Sequence, residues 1–333
     1  MRIPVDPGPF LAAAPDQRQS LLADLDAAVR ASLAAGLAVV VNLQANAATH
    51  YWTPERLTGS VEAPEFAAFA ELITAIAAAL SRLPQWRVAL EPINEPGGAC
   101  DAFAYLAVRK ELLARARAAA PSLTLVASGG CGSLIQGLPV FNPTPLFALK
   151  PLLFTFHFYE PYLFTHQGAQ WMREPIYRSL GGVPWPGSAG SLEETLAVVQ
   201  AKMAADQERT EEAKRAVYAE TEKALTVYFN ADPGRPFIDR YLAFVGDWAK
   251  RFGIPNEHVL MGEFGALRAD ARNSGASAAD RARYIRDVRE VAESYRFPWA
   301  FWCLFDSMGL MDDATRALDP AIVQSLGLTP PPG

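Results

Sequence analysis

The chain has 333 residues, of which 50% are hydrophobic and 20% are charged, and its formal net charge is −6. This composition can fill a large apolar core, and because no compositional shift marks a second unit we expect one domain spanning residues 1–333. The acidic balance argues against a general nucleic-acid surface, which requires a basic patch. No apolar stretch is long enough to predict a membrane span.

The cysteines and histidines exclude most metal chemistry. Cys100, Cys131 and Cys303 are widely spaced and odd in number, so they predict neither a disulfide framework nor a four-ligand zinc site. We expect them to pack in the core. Only four histidines are present, and no two have the spacing of metal ligands on a helix. The sequence therefore predicts no metal site and no other cofactor.

The first elements alternate between helix and strand. Apolar residues at helical spacing predict a helix over 16–35, which Gly36 ends. The apolar run 37–43 predicts a strand, and Gln44 follows it. Tyr51 and Trp52 then lie in a loop before a predicted helix over 64–83, and these aromatics could either stack on a ligand ring or tether the loop.

The apolar run that begins at Val88 predicts a buried strand that extends to Glu95. Alternation along such a strand places Glu91 and Glu95 on one face, with Asn94 beside Glu95. Asn94-Glu95-Pro96 alone is typical of an ordinary strand-to-helix turn. A second apolar run, 259–265, also ends in a glutamate, Glu263, and two acids at strand ends predict paired carboxylate chemistry.

The remaining elements continue the alternation. We predict helices over 100–120, 237–252 and 280–295, and strands over 123–127, 152–158 and 299–304. His157 and Tyr159 share a face at the end of the strand 152–158, and Trp302 lies in the last strand.

Four motifs in one order resemble glycoside hydrolase family 5, the cellulase-like family of retaining glycosidases built on a TIM barrel. Glu91–Pro96 resembles the family's acid/base strand, His157–Tyr159 its His-x-Tyr strand, Gly262–Gly265 its nucleophile strand and Trp302–Leu304 its last strand. Arg2–Val5 resembles an earlier strand that carries the family's arginine. The resemblance covers almost the whole chain.

The resemblance implies a TIM-type (β/α)8 barrel. Seven predicted strands are found, ending near Val5, Asn42, Glu95, Ala127, Phe158, Glu263 and Leu304. We therefore expect a barrel that lacks its first strand and helix at the amino terminus. Met1 stands where the family commonly has valine, which favours a gene start further upstream, and a signal peptide there would make the protein secreted or periplasmic.

The family's catalytic roles map onto two residues. A retaining glycosidase needs one carboxyl group as acid/base and another as nucleophile, ~5 Å apart. The resemblance assigns the acid/base to Glu95 and the nucleophile to Glu263. It implies that Tyr159 donates a hydrogen bond to Glu263, and that Arg2 and Glu91 form a structural ion pair beneath the site.

The other candidate residues bind substrate. They are Arg2, Gln44, Asn94, His157, Tyr159 and Trp302. Asn94 is expected to hold the sugar 2-hydroxyl, and Trp302 to form a sugar platform. The family position of His157 favours holding the substrate or orienting the nucleophile. Gln44 stands where the family often has a histidine, and its amide can still donate and accept hydrogen bonds.

The segment 160–251 is much longer than a usual loop between strand and helix. It predicts a long insertion between the sixth and seventh strands of the barrel, serving either as a lid or cleft wall or as a helical hairpin that covers the barrel flank. Trp171 and Trp185 within it could stack on sugar rings or anchor the loop.

The predicted activity is endo-acting hydrolysis of β-linked glucan by double displacement. Cellulose-type β-1,4-glucan is the expected substrate, with β-mannan and β-1,3-glucan as alternatives within the family. A carbohydrate-binding pseudoenzyme with a truncated barrel is the rival from another class. The expected partner is a polysaccharide or oligosaccharide, and the expected state is a monomer.

Overall fold

The computed structural model describes residues 1–45, 51–100, 103–270 and 273–329. In this part of the chain one sheet contains six strands in sequence order. They are β1 (Arg2–Val5), β2 (Val39–Leu43), β3 (Val88–Glu91), β4 (Thr124–Ser128), β5 (Leu152–Phe158) and β6 (Val259–Phe264). The neighbouring pairs from β1 to β5 are all parallel. Parallel strands present their carboxyl ends at one edge of the sheet.

The register is continuous across the amino-terminal strands. Arg2 of β1 is opposite Val40 of β2, and Asn42 of β2 is opposite Glu91 of β3. Every residue of β3 and of β6 is buried. This burial explains why both strands read as nearly unbroken apolar runs, as is typical of parallel sheets that are covered on both faces.

Twelve α-helices connect and flank the strands in the described ranges. They are α1 (Pro7–Ala12), α2 (Pro15–Ala34), α3 (Pro54–Thr58), α4 (Pro64–Leu80), α5 (Phe103–Ala119), α6 (Tyr162–Thr165), α7 (Pro175–Ser179), α8 (Leu192–Ala205), α9 (Glu211–Ala231), α10 (Arg235–Arg251), α11 (Ala278–Ser294) and α12 (Pro320–Ser325). Short 3-10 turns lie at Cys131–Ser133, Ile135–Val140, Thr144–Leu149, Gly187–Ala189 and Asn256–His258.

The helices begin where the sequence offers caps. Thr210 and Ser277 accept hydrogen bonds from backbone N–H groups of the first turns of α9 and α11. Proline occupies the first turn of α2 and α4, where its missing N–H costs nothing. The five longest predicted helices are confirmed to within three residues at each end. The predicted helix 100–120 begins at Cys100, and its next two residues, Asp101 and Ala102, lie outside the described residues.

The chain divides into two compact units, residues 1–157 with 245–262 and residues 158–244 with 263–333. In the first unit, Leu90 and Phe156 are fully buried, and Trp248 packs against Phe154 with ring centroids 5.7 Å apart. In the second unit, Trp185 and Tyr284 are fully buried with ring centroids 5.1 Å apart. Each unit therefore has an apolar core of its own.

Two predicted strands differ from the structure. The strand from Val88 ends at Glu91 rather than Glu95, because Pro92 has no N–H to donate to a ladder. The predicted strand 299–304 is not a regular strand. The N–H of Trp302 donates to Phe264 at 2.9 Å, but the Cys303 carbonyl then accepts from the Leu310 N–H at 2.8 Å, so the backbone bonds to its own returning loop.

The prediction for the cysteines is wrong for two of the three. Cys100 and Cys131 form a disulfide across a sequence separation of 31 residues, with Cα atoms 4.5 Å apart. The loops after β3 and β4 bring them together, since these neighbouring strands end at the same edge of the sheet. Cys303 is a free thiol that is half-buried.

The segment 160–251 contains the helices α8 and α9. A turn separates them, in which Asp206 accepts hydrogen bonds from the Glu208 and Arg209 N–H groups. Trp185 is fully buried, and its Nε1–H donates to Asp287 at 2.9 Å. It therefore anchors its loop and is not a sugar-stacking residue. None of the helices within the described residues is apolar and long enough to cross a bilayer.

Candidate active site

Glu95 lies in the turn that follows β3. The Asn94 N–H donates to the Leu43 carbonyl at 2.7 Å, so this segment still follows β2 after the regular strand has ended. Glu95 has a φ of 40°. A non-glycine residue in this left-handed region is uncommon, and such residues concentrate at functional sites. Alternation along a strand therefore does not set the direction of the Glu95 side chain.

The Glu95 carboxyl is paired with His157. Glu95 Oε1 lies 2.7 Å from His157 Nδ1, and the Glu95 side chain is 39% exposed while that of His157 is fully buried. An imidazole N–H in this position donates to a carboxylate. The structure thus places His157 against Glu95.

Gly262 allows the backbone to approach His157 closely. A Cβ built on Gly262 would lie 2.5 Å from Thr155 Oγ1 and 3.1 Å from His157 Nε2. Any larger residue before Glu263 would therefore collide with Thr155 and crowd the His157 ring. This explains one of the two glycines that flank Glu263 in the sequence.

Arg2 and Glu91 form the predicted buried ion pair. Arg2 Nε donates to Glu91 Oε2 at 2.7 Å, and the two side chains are 4% and 0% exposed. Arg2 Nη2 also donates to Asn94 Oδ1 at 2.5 Å. Since this contact engages the Asn94 amide oxygen, it fixes the orientation of the amide group and turns its N–H donors away from Arg2.

Glu263 is held by Tyr159, as predicted. The Tyr159 hydroxyl donates to Glu263 Oε2 at 2.8 Å, and both residues are buried. A hydrogen bond to a carboxylate oxygen stabilises the ionised form. Tyr159 also belongs to a small apolar cluster with Ala169, Leu267 and Met308, against which Trp302 and Cys303 pack.

Trp302 is half-buried and sits on that cluster. The peptide bond between Trp302 and Cys303 is cis. A Cβ on Gly265 would lie 2.3 Å from the Trp302 carbonyl oxygen. Gly265, the second glycine that flanks Glu263, therefore permits close contact between the two backbones. Trp302 and Cys303 contact the same cluster, so they do not face opposite sides as consecutive residues of a strand would.

Arg281 is a residue that the sequence did not identify. Its side chain on α11 is buried, with Nε donating to the Ala266 carbonyl at 2.9 Å and Nη2 donating to the Met308 and Gly309 carbonyls at 2.8 and 2.9 Å. One guanidinium thus joins the loop after Glu263 to the loop after Trp302. Arg281 lies three, four and seven residues before buried residues of α11, so helical spacing alone places it on the buried face of that helix.

We expect Arg281→Met to destabilise the protein by about 3 kcal/mol, because three buried carbonyl groups lose their donor. Arg286→Met, on the exposed side of the same helix, should cost less than about 0.5 kcal/mol. Urea unfolding followed by tryptophan fluorescence measures both. Equal stabilities of the two variants would contradict the role that the contacts give to Arg281.

An aromatic group follows Tyr159 along the chain. Tyr162 and His166 stack with centroids 4.5 Å apart, and His166 lies 6.4 Å from the ring of Trp171. Burial lowers the pKa of His166 to about 4, so the imidazole is neutral near pH 7. Trp171 is 55% exposed. Of the two tryptophans predicted in this segment, Trp171 therefore has an indole face open to a ligand.

Two amides on or next to β2 have unsatisfied polar atoms. Gln44 Oε1 is buried without a hydrogen-bond partner among the described residues, and so are both amide atoms of Asn42. Buried polar groups normally have partners, so these atoms are available to a ligand or to water. Asn42 was missed because it lies within an apolar run, where it reads as an ordinary strand residue.

The predicted residues thus form two local groups. Arg2, Asn94, Glu95 and His157 are joined by the contacts described above in the first compact unit. Tyr159, Glu263 and Trp302 belong to the second unit, where Tyr159 donates to Glu263 and Trp302 packs against the cluster that contains Tyr159. Each group contains one carboxylate with a specific hydrogen-bonding partner, which is the arrangement expected of functional acids.

Comparisons with known proteins agree with these motifs. The family model for cellulases, glycosyl hydrolase family 5, matches residues 1–307. Endoglucanase 3 of Fibrobacter succinogenes is 23% identical over 173 residues, which are 51% of this chain and 23% of that protein. The match thus spans about a quarter of the length of that relative.

Solved structures resemble almost the whole chain. Thermotoga maritima Cel5A, solved in complex with cellobiose and with mannotriose, is 20% identical with a TM-score of 0.69, and the match covers 98% of this chain and 84% of Cel5A. Cellulose synthase subunit Z of Clostridioides difficile is 20% identical with a TM-score of 0.69, over 98% of this chain and 86% of that chain. At these identities the likeness shows the fold.

Proposed function

This chain belongs to glycosyl hydrolase family 5, and from that premise we propose that it is a retaining, endo-acting β-glucanase with Glu95 as acid/base and Glu263 as nucleophile. The observation that carries the proposal is the contrast between the two acids. Glu263 is buried and accepts a hydrogen bond from Tyr159, whereas Glu95 is 39% exposed and contacts His157. The first suits a fixed nucleophile, and the second suits a group that exchanges protons with a leaving group and water.

The reaction proceeds in two displacements. The Glu263 carboxylate attacks the anomeric carbon, and the bond to the glycosidic oxygen breaks as Glu95 gives that oxygen a proton. Water then attacks the glycosyl ester, Glu95 takes a proton from this water, and the sugar leaves with its original anomeric configuration. The Tyr159 hydroxyl stabilises the Glu263 carboxylate before attack and after release.

Four further residues are proposed to bind the sugar. Asn94, oriented by Arg2, donates to the 2-hydroxyl, a contact that strengthens in the transition state. Gln44 accepts from a hydroxyl through its Oε1, which has no hydrogen-bond partner among the described residues. Trp302 provides a stacking face, and Trp171 provides another within the segment 160–251, which we propose is an insertion that shapes the cleft of a single-domain barrel.

We propose β-1,4-glucan as the substrate, because the relatives named above include an endoglucanase and a structure bound to cellobiose. β-Mannan is the second candidate, since Cel5A was also solved with mannotriose. Screening carboxymethylcellulose, galactomannan and laminarin for released reducing ends separates these substrates. Proton NMR of the first product should show the β anomer, and an initial α anomer would exclude the retaining mechanism.

Trp302→Ala should raise KM for cello-oligosaccharides about tenfold, because a stacking contact with one sugar face contributes on the order of 1 kcal/mol. Its cost in stability should stay below the ~3 to 5 kcal/mol typical of a fully buried aromatic residue, since Trp302 is only half-buried. The unfolding midpoint and the oligosaccharide affinity are measured on the same sample. Collapsed stability with unchanged affinity per folded molecule would show that Trp302 is a packing residue.

Trp86→Ala is the control for this variant. Trp86 is 84% exposed and precedes β3 at the amino end of the strand, so its side chain lies at the edge of the sheet opposite to Glu95. We expect neither KM nor stability to change in this variant. The comparison separates a specific loss at Trp302 from a general effect of removing an exposed indole.

A further inference from the structure

The segment after Glu95 has few contacts that could fix its backbone. Residues 97–99 are exposed, and Gly98 has a φ of 91° with open space where a Cβ would be. Glycine loses the most freedom on ordering, so a Gly-Gly pair directly after a working residue makes its position easy to disturb. Whatever holds Glu95 on this side must therefore act at the two ends of the segment.

Both ends are tied to consecutive residues of the loop after β4. The disulfide joins Cys100 to Cys131, and the N–H of the next residue, Gly132, donates to the Pro96 carbonyl at 2.8 Å. The two links close a small ring that contains residues 96–100 and 131–132. Neither end of the Gly-Gly segment can shift without the loop after β4.

The loop after β4 has a backbone that needs support. Cys131, Gly132 and Ser133 have φ values of 46°, 70° and 58°, and Cys131 and Ser133 are not glycines. Left-handed conformations of such residues persist only where the surroundings hold them. Gly137 leaves room for the sulfur, because a Cβ there would lie 3.1 Å from Cys131 Sγ. The disulfide is the covalent link in this arrangement.

We propose that the Cys100–Cys131 disulfide is a redox-sensitive positioning element that holds Glu95 for proton transfer, a proposal that rests on the proposed function of Glu95. A dithiol such as dithiothreitol supplies two electrons and two protons, the S–S bond breaks into two thiols, and the reagent becomes a cyclic disulfide. The loop after β4 then relaxes, the Gly132 N–H leaves Pro96, and Glu95 keeps its contact with His157 but loses this tether.

The test compares the rates of two aryl cellobiosides that differ in their leaving group, before and after reduction of the disulfide. A phenyl β-cellobioside needs protonation to leave, whereas a 2,4-dinitrophenyl β-cellobioside does not. Reduction should lower kcat/KM for the phenyl substrate about ten- to a hundredfold, as a small displacement of a catalytic group does. The glycosylation step with the dinitrophenyl substrate should change less than about twofold and shows that the reduced protein is folded. If the substrate screen selects mannan, the matching mannobiosides replace these probes.

Variants and thiol counts complete the design. The native protein unfolded in denaturant should titrate one thiol, and the reduced protein three. Cys100→Ala/Cys131→Ala should reproduce the reduced enzyme and no longer respond to dithiothreitol, while Cys303→Ser should keep the full response. Three thiols in the native protein, equal losses on both substrates, or no effect of reduction each overturn the proposal. An oxidised protein inactive on all aryl glycosides would instead overturn the proposed function.

Discussion

Glu263→Gln should lower kcat on every substrate on the order of 10⁵-fold, as removal of a catalytic nucleophile does. The amide cannot form the glycosyl ester, so leaving-group activation cannot compensate. The substitution keeps the volume and an oxygen that can accept from the Tyr159 hydroxyl, which lies 2.8 Å away in the native protein. We therefore expect the unfolding midpoint to stay within a few degrees of the native value.

The control for this variant is Glu220→Gln on the exposed side of α9, which should keep full activity. Turnover is measured with aryl cellobiosides and with soluble polysaccharide. A Glu263→Gln protein that is folded and retains a substantial part of its activity on both would mean that another group is the nucleophile.

The sequence predicts elements well where one pattern dominates. The strand 152–158 was predicted with its exact bounds, because seven mostly apolar residues bounded by prolines and polar residues permit little else. The strand from Val88 was overextended because alternation was carried across Pro92, which ends the ladder. The run 299–304 is apolar but not a regular strand, since Cys303 and Leu304 bond to residues 308–311, and no local pattern encodes such a return.

For the candidate site, too, the residues with a local sequence pattern were predicted and the contacts without one were not. Glu95 and Glu263 stand out because an acid at the end of an apolar run is costly without a function or a partner. The ion pair of Arg2 with Glu91 and the hydrogen bond from Tyr159 to Glu263 followed from the family motif. The contacts of Arg281 and the Cys100–Cys131 bond could not be predicted, because they join segments that only the fold brings together.

The structure also changes what the Glu95 motif means physically. The sequence suggested a carboxyl group aimed by strand alternation, whereas the structure shows a left-handed turn residue that contacts a histidine and precedes a segment ending in a disulfide. A strand sets side-chain direction by its regular geometry, while this turn depends on contacts outside its own backbone. Proton transfer should therefore be more sensitive than nucleophilic attack to changes in neighbouring loops.

Glu95→Gln should separate the two displacement steps. The leaving group of a 2,4-dinitrophenyl cellobioside needs no proton. The variant should therefore release a burst of 2,4-dinitrophenolate equal to the enzyme concentration and then stall, because no base activates water. Steady-state kcat should fall about 10²- to 10⁴-fold. Azide, a nucleophile that needs no base, should restore turnover and yield a β-glycosyl azide.

His157→Gln is the matched variant, since it keeps the Glu95 carboxyl and removes only its imidazole partner at 2.7 Å. It should show a smaller loss on poor leaving groups and no rescue by azide. Equal losses of Glu95→Gln on good and poor leaving groups, without a burst and without an azide product, would assign the acid/base role to another residue.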